Sequence, residues 1–307
     1  MKRVLIGLVL AVLMTACLMP VWAEEGGFVF ADEIPEEYWK RCDQPGMTRR
    51  ISYESKDYAG DGAPVTKHAV VYLPYGYSED ERYDVLILMH GVGGSEDEWG
   101  FDRPYGSVRN VVDNLIAKGD IRPLIIVMPN GRSTANYSNT SMDNAGSFYP
   151  FGQELRNDLL PYIDSHYATW GSLTPDDPTA AREHRAMAGL SMGGMQTINI
   201  GLCECPDLIA SFGAFSAAPT SYTAAEIDLR LAAFPDAEIL YFYSICGLQD
   251  SLYFAGSGAA KDLPAACDRF SEANWHWQER DGGHDFGIWN LGLYNFLRVF
   301  SSDHADS

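Results

Sequence analysis

Five short apolar runs constrain this chain more than any other feature: "HAVVYLP" (His68 to Pro74), "YDVLILMHG" (Tyr83 to Gly91), "LIIVMPNG" (Leu124 to Gly131), "RAMAGLS" (Arg185 to Ser191) and "EILYFYSICG" (Glu238 to Gly247). They are too short for buried helices and mostly end at Gly or Pro, so they read as strands. Strands apolar on both faces belong to a parallel sheet covered on both sides. Between them lie helical candidates, Val108 to Gly119, Gly152 to Tyr167, Gly193 to Cys205 and Phe286 to Phe300. This alternation predicts an α/β fold with a mostly parallel central sheet and helices on both faces.

The totals fit one large domain or two small ones: 307 residues, 46% hydrophobic and 21% charged. No repeat or low-complexity block interrupts them. A formal charge of −20 argues against nucleic acid and anionic lipid as partners. The chain opens with Lys2-Arg3, an apolar run from Val4 to Met19 and Val21-Trp22-Ala23, the pattern of a signal peptide cleaved after Ala23. That run is short for a membrane span. Met14-Thr15-Ala16-Cys17 loosely resembles a lipobox, so lipid anchoring at Cys17 is the alternative to soluble secretion. The expected organisation is a signal peptide over 1–23, an acidic leader over 24–45 docked by Tyr38 and Trp39, and the main domain over 46–307. Five cysteines remain after cleavage, Cys42, Cys203, Cys205, Cys246 and Cys267. They read as packing residues, with one or two bridges left open. Their spacing matches no zinc knuckle, and neither metal nor cofactor is expected.

Chemistry concentrates at "AMAGLSMGG" (Ala186 to Gly194). Gly189-Leu190-Ser191-Met192-Gly193 fits G-x-S-x-G between a strand and a helix, the context in which that motif presents a nucleophilic serine at a cramped corner. A serine hydroxyl needs a base to take its proton. His284 in "DGGHDFGIW" suits, on a glycine loop between the strand candidate "NWHWQER" and the last helix. His276 alternates with Trp275 and Trp277 and reads as structural or substrate-facing. His166 and His304 read as solvated, and His68 and His184 flank strands. The base in turn needs a carboxylate to orient it, on a loop after a strand and between serine and histidine in sequence. Asp250 in "LQDSLY" fits better than Asp262, Asp268, Asp281 or Asp285. The order Ser191, Asp250, His284 is that of α/β hydrolases.

An oxyanion hole requires two N–H groups aimed at the tetrahedral oxygen. Met192, straight after the serine, should give one. The early turn His90-Gly91-Val92-Gly93-Gly94 should give the other, from Val92 or alternatively Gly93. Candidates for substrate binding are Trp99, Asn130, Arg132 and Trp289, each on a loop after a strand or beside a site residue.

The stretches "HGVGGSEDEW", "MPNGR", "FGQELRNDLLPYIDSHY", "REHRAMAGLSMGG", "CGLQDSLY" and "GGHDFGIWNLGLYNFL" together resemble the esterase D-like hydrolases. Within these, they resemble the bacterial feruloyl and acetyl xylan esterases of carbohydrate esterase family 1. The resemblance spans roughly Cys42 to Phe300. It implies the α/β-hydrolase fold, Ser191 as nucleophile, His284 as base, Asp250 as its partner, and Val92 and Met192 as oxyanion donors. It also implies secreted enzymes that remove feruloyl or acetyl groups from plant xylan, often joined to other modules. No second domain is visible here, so feruloylated oligosaccharides stand beside polysaccharide as substrates. Alternatives on the same residues are acetyl ester hydrolysis and acyl transfer, as in the related mycolyltransferases. An alternative of another class is a non-catalytic carbohydrate-binding surface protein.

Overall fold

The computed structural model describes residues 28–103, 108–252 and 258–301, so the expected signal peptide and the lipobox alternative lie outside the described residues. Eight strands form one sheet: β1 (Met47–Lys56), β2 (Pro64–Leu73), β3 (Asp84–Met89), β4 (Leu124–Pro129), β5 (Arg185–Leu190), β6 (Ser211–Phe215), β7 (Tyr241–Gly247) and β8 (Trp275–Arg280). Their spatial order is β1-β2-β4-β3-β5-β6-β7-β8. β2 runs antiparallel to both β1 and β4, and every other pairing is parallel. Nine α-helical elements accompany the sheet among the described residues: α1 (Glu36–Trp39), α2 (Val108–Lys118), α3 (Phe151–Glu154), α4 (Leu160–His166), α5 (Met192–Gln196), α6 (Ala224–Leu231), α7 (Gly258–Lys261), α8 (Leu263–Ala266) and α9 (Phe286–Phe300).

The apolar runs behave as a doubly covered sheet requires. Along β3, Val85, Ile87 and Met89 enter one core while Leu86 and Leu88 enter the other, and β4 divides Ile125 and Val127 from Leu124, Ile126 and Met128 in the same way. The parallel register is therefore fixed from both faces, since a one-residue slip would exchange the two cores.

Two strands escape the pattern. β6, "SFGAF", is short and built partly of Ser, Gly and Ala, so it carries little apolar signal. β1 alternates exposed and buried residues at the sheet edge, with Ile51, Tyr53 and Ser55 turned inward. Two expected helices are not uniform. Leu155–Leu159 joins α3 to α4 as a π-type turn, and Thr197–Leu202 continues α5 in the same way.

The leader is docked, and more extensively than by Tyr38 and Trp39 alone. Phe30 stacks on His276 with ring centres 3.8 Å apart. The buried Asn295 amide accepts from Ala31 N–H and donates to Ala31 C=O. Tyr38 donates to Asp120 at 2.6 Å, and Asn110 donates to the Trp39 carbonyl. Cys42, Cys203, Cys205, Cys246 and Cys267 are all buried free thiols.

Candidate active site

Ser191 sits where β5 turns into α5, with φ 53° and ψ −115°. Only a rigid surrounding holds a non-glycine residue there. Ser191 N–H donates to Phe215 C=O at 2.9 Å, and its own C=O accepts from Met195 and Ala218 N–H. The glycines around it allow close approach. A Cβ on Gly193 would lie 2.7 Å from Met89 Cβ and 2.8 Å from the His90 carbonyl oxygen, and one on Gly189 would lie 2.6 Å from the Gly193 backbone. The serine is 8% exposed, so the corner holds it largely covered and not on a free loop.

Asp250 and His284 follow β7 and β8, and the two loops are tied together by Gln249 N–H donating to Gly282 C=O at 2.9 Å. His284 Nδ1 lies 2.8 Å from Asp250 Oδ2. Leu252 N–H donates to Asp250 Oδ1 at 2.8 Å. Burial pushes the Asp250 carboxyl up, but the Leu252 N–H and the His284 ring outweigh it and hold the group below its usual value. Asp285 turns to α9, accepting Gly287 N–H at 2.8 Å as the helix cap.

The glycine turn after β3 packs against the serine corner: a Cβ on Gly91 would stand 3.4 Å from Ser191 Cβ. His90 is fully enclosed, and burial lowers it to about 3, so its ring is neutral. Gly131 N–H donates to Nε2, which leaves the proton on Nδ1 to donate to Gly91 C=O at 2.7 Å. Gly94 N–H reaches the same carbonyl. In a trans peptide the N–H opposes the C=O, so Val92 N–H faces away from His90. Neither Val92 nor Gly93 N–H meets an acceptor among the described residues. The Val92 and Met192 side chains join Phe148, Met195, Ala145 and Ala218 in one small apolar cluster.

The four substrate-binding candidates are placed differently. Trp289 is buried and meets the His284 ring edge-to-face at 5.0 Å, with Phe286 against it. Trp99 is buried, donates its indole N–H to Met89 C=O, and faces Phe286. Asn130 is buried and donates to Glu96. Arg132 is fully buried, with its guanidinium donating to Gly94 C=O at 2.9 Å and to Val92 C=O.

Sequence reasoning passed over the residues that support these loops. Glu98 Oε2 accepts Gly91 N–H at 2.6 Å, and burial raises its carboxyl against that hydrogen bond. Gln196 donates to Gly131 and Phe148 carbonyls, joining α5 to the loop after β4. Cys246 Sγ lies 3.8 Å from Asp250 Oδ2. His90, preceding the glycines directly, was the one legible signal among them. No group of three metal-ligating side chains occurs among the described residues.

A doubly covered, mostly parallel sheet whose serine corner, acid loop and histidine loop follow β5, β7 and β8 defines an α/β hydrolase. The Esterase family model matches residues 66–298. Endo-1,4-beta-xylanase Y of Acetivibrio thermocellus is 35% identical over 179 residues, 58% of this chain and 15% of that protein. The endo-1,4-beta-xylanase/feruloyl esterase of Xylanibacter ruminicola is 38% identical over 155 residues, 48% of this chain and 19% of that protein. The matched stretches thus span a minor part of these relatives. Among solved structures, a serine-to-alanine mutant of the feruloyl esterase module from Clostridium thermocellum, complexed with sinapinate, superposes with a TM-score of 0.73 at 25% identity, covering 92% of this chain and 98% of that one. The chain belongs to the Esterase family.

Proposed function

We propose that this chain is an exported serine esterase that releases hydroxycinnamates, feruloyl groups foremost, from plant xylan or its oligosaccharides. The observation that carries the reading is the strained Ser191 corner standing at the carboxyl end of the same parallel strands that carry the His284–Asp250 pair. Ser191 Oγ attacks the ester carbonyl while His284 Nε2 takes its proton, and Asp250 at Nδ1 holds the ring and offsets the imidazolium charge. Val92 and Met192 N–H groups receive the developing oxyanion, with Gly93 N–H beside them. His284 then protonates the departing sugar oxygen, and water releases the acid from Ser191 by the reverse steps. No metal or cofactor enters this sequence.

Two things support an aromatic acyl group. The exposed Phe286, packed on Trp289 beside His284, and the half-buried Val92, in the cluster with Met192, offer apolar surface for a flat ring. The feruloyl esterase module bound to sinapinate and the relative named for feruloyl esterase activity point the same way. Export with cleavage after Ala23, and an esterase domain over 46–307, belong to the same proposal. No helix among the described residues is long and apolar enough to cross a membrane.

The test is a panel of methyl ferulate, methyl p-coumarate, p-nitrophenyl acetate and acetylated xylan, with an added sugar acceptor in parallel. Free ferulate and coumarate are expected as products, with little transfer to the acceptor. Activity on acetyl esters alone would overturn the hydroxycinnamoyl assignment, and acyl transfer as the main outcome would overturn hydrolysis.

A further inference from the structure

We propose that Arg132 is a positioning residue for the oxyanion loop: by fixing the Val92 and Gly94 carbonyls it sets the Gly93 N–H, next to that of Val92, where a tetrahedral oxyanion forms. This rests on the serine mechanism above and adds a role for a side chain that touches no reacting atom.

The loop needs such a brace. Gly91, Gly93 and Gly94 give it more backbone freedom than any other residue types would, and freedom in a donor loop is lost preorganisation. Four of its peptide groups are nevertheless fixed by side chains. Gly91 N–H is held by Glu98 and Gly91 C=O by His90, which orients Val92 N–H. Val92 C=O and Gly94 C=O are both held by Arg132, and because the Val92–Gly93 peptide is trans, Gly93 N–H must face away from the guanidinium. One planar fork thus sets two carbonyls at a fixed separation, which a lysine ammonium cannot do.

Arg132 is itself anchored in the core. Its carbonyl accepts from Lys67 Nζ at 2.6 Å, and Lys67 pairs with the buried Glu154 at 2.9 Å. Asn130 Oδ1 accepts Arg132 N–H. The guanidinium carbon lies 4.9 Å from the Phe148 ring, in the cluster that also contains Met192. Burial works against its charge, and the nearby Glu98 and Glu96 carboxylates offset part of that cost. The brace therefore runs from β2 and α3 through the loop after β4 to the turn after β3.

Arg132→Lys and Arg132→Gln test this, with rates expressed per Ser191 titrated by a fluorophosphonate so that unfolded protein does not count. On methyl ferulate, kcat should fall about tenfold for Arg132→Lys and about 100-fold for Arg132→Gln, with KM within about threefold of wild type. The inhibition constant of a phenylboronic acid, a tetrahedral mimic once bound to serine, should rise by a matching factor. Should Arg132→Gln fail to fold, Arg132→Lys, which keeps the charge, decides alone. Wild-type kcat per titrated site in Arg132→Lys with unchanged boronate affinity, or a loss confined to KM, would overturn the positioning role. A wild-type chain that neither hydrolyses esters nor takes the fluorophosphonate would overturn the serine mechanism, and this inference with it.

Discussion

His284 Nδ1 and Asp250 Oδ2 stand 2.8 Å apart, and the Leu252 N–H occupies the other Asp250 oxygen. An asparagine at 250 can keep the shape but not the charge, so Asp250→Asn should lower kcat by about 10³–10⁴-fold with little change in KM. The carboxyl lies below its ordinary value of 3.8 in the fold. Its contribution to stability is therefore full above that value and fades as pH falls through the folded one. Urea unfolding of wild type and Asp250→Asn should differ most above pH ~4 and converge below it. A gap that widened with acidity would refute the assigned sign.

His90 is a second proton-linked residue, of opposite chemistry. Buried and neutral, it titrates near 3 against an ordinary 6.5, so the unfolded chain binds its proton first. Stability should fall by up to one proton's worth per pH unit between those values, a loss on the order of several kcal/mol by pH 3. His90→Gln should remove this component of the slope between pH 6 and 4, read by urea midpoints at several pH values. An unchanged slope would mean that His90 does not stay neutral in the fold.

Gly193 has no room for a methyl group, because the contacts at 2.7–2.8 Å include the backbone oxygens of Met89 and His90. Gly193→Ala should push α5 away from β3, costing about 1–3 kcal/mol and misplacing both Ser191 and Met192 N–H. Hydrolysis should fall by about 100-fold or more even where the variant folds. Near-wild-type turnover in a folded Gly193→Ala would show that the corner tolerates what its geometry forbids.

Lys67 and Glu154 form an ion pair with both side chains fully buried, and Tyr53 donates to Glu154 as well. Lys67→Met leaves a buried carboxylate unpaired and should cost about 3–5 kcal/mol. Lys67→Met/Glu154→Leu should recover part of that loss, because the charge is removed along with its partner. Thermal and urea unfolding of the two variants would decide, and a double variant no more stable than Lys67→Met would contradict the reading.

The apolar runs that became β3, β4, β5 and β7 were legible because burial on both faces leaves a continuous signature. β6 was not, since five residues of Ser, Phe, Gly and Ala carry too little of it, and its place is fixed by pairing with β5 and β7. Ser191, Asp250 and His284 could be nominated because glycine corners and strand ends recur in fixed order. The roles of Glu98, Gln196 and Arg132 could not, because each depends on which loop lies across from it. Arg132 in particular reads in sequence as a charged loop residue open to substrate, whereas the fold encloses it completely. Sequence spacing locates the ends of strands, but the packing between those ends appears only in three dimensions.

The most direct measurement compares wild type with Ser191→Ala on methyl ferulate, following free ferulate by chromatography. The wild type should release ferulate, and Ser191→Ala should lose at least about 10³-fold in kcat while keeping its melting temperature and its affinity for the ester. Undiminished ferulate release by a folded Ser191→Ala would contradict the account at its centre.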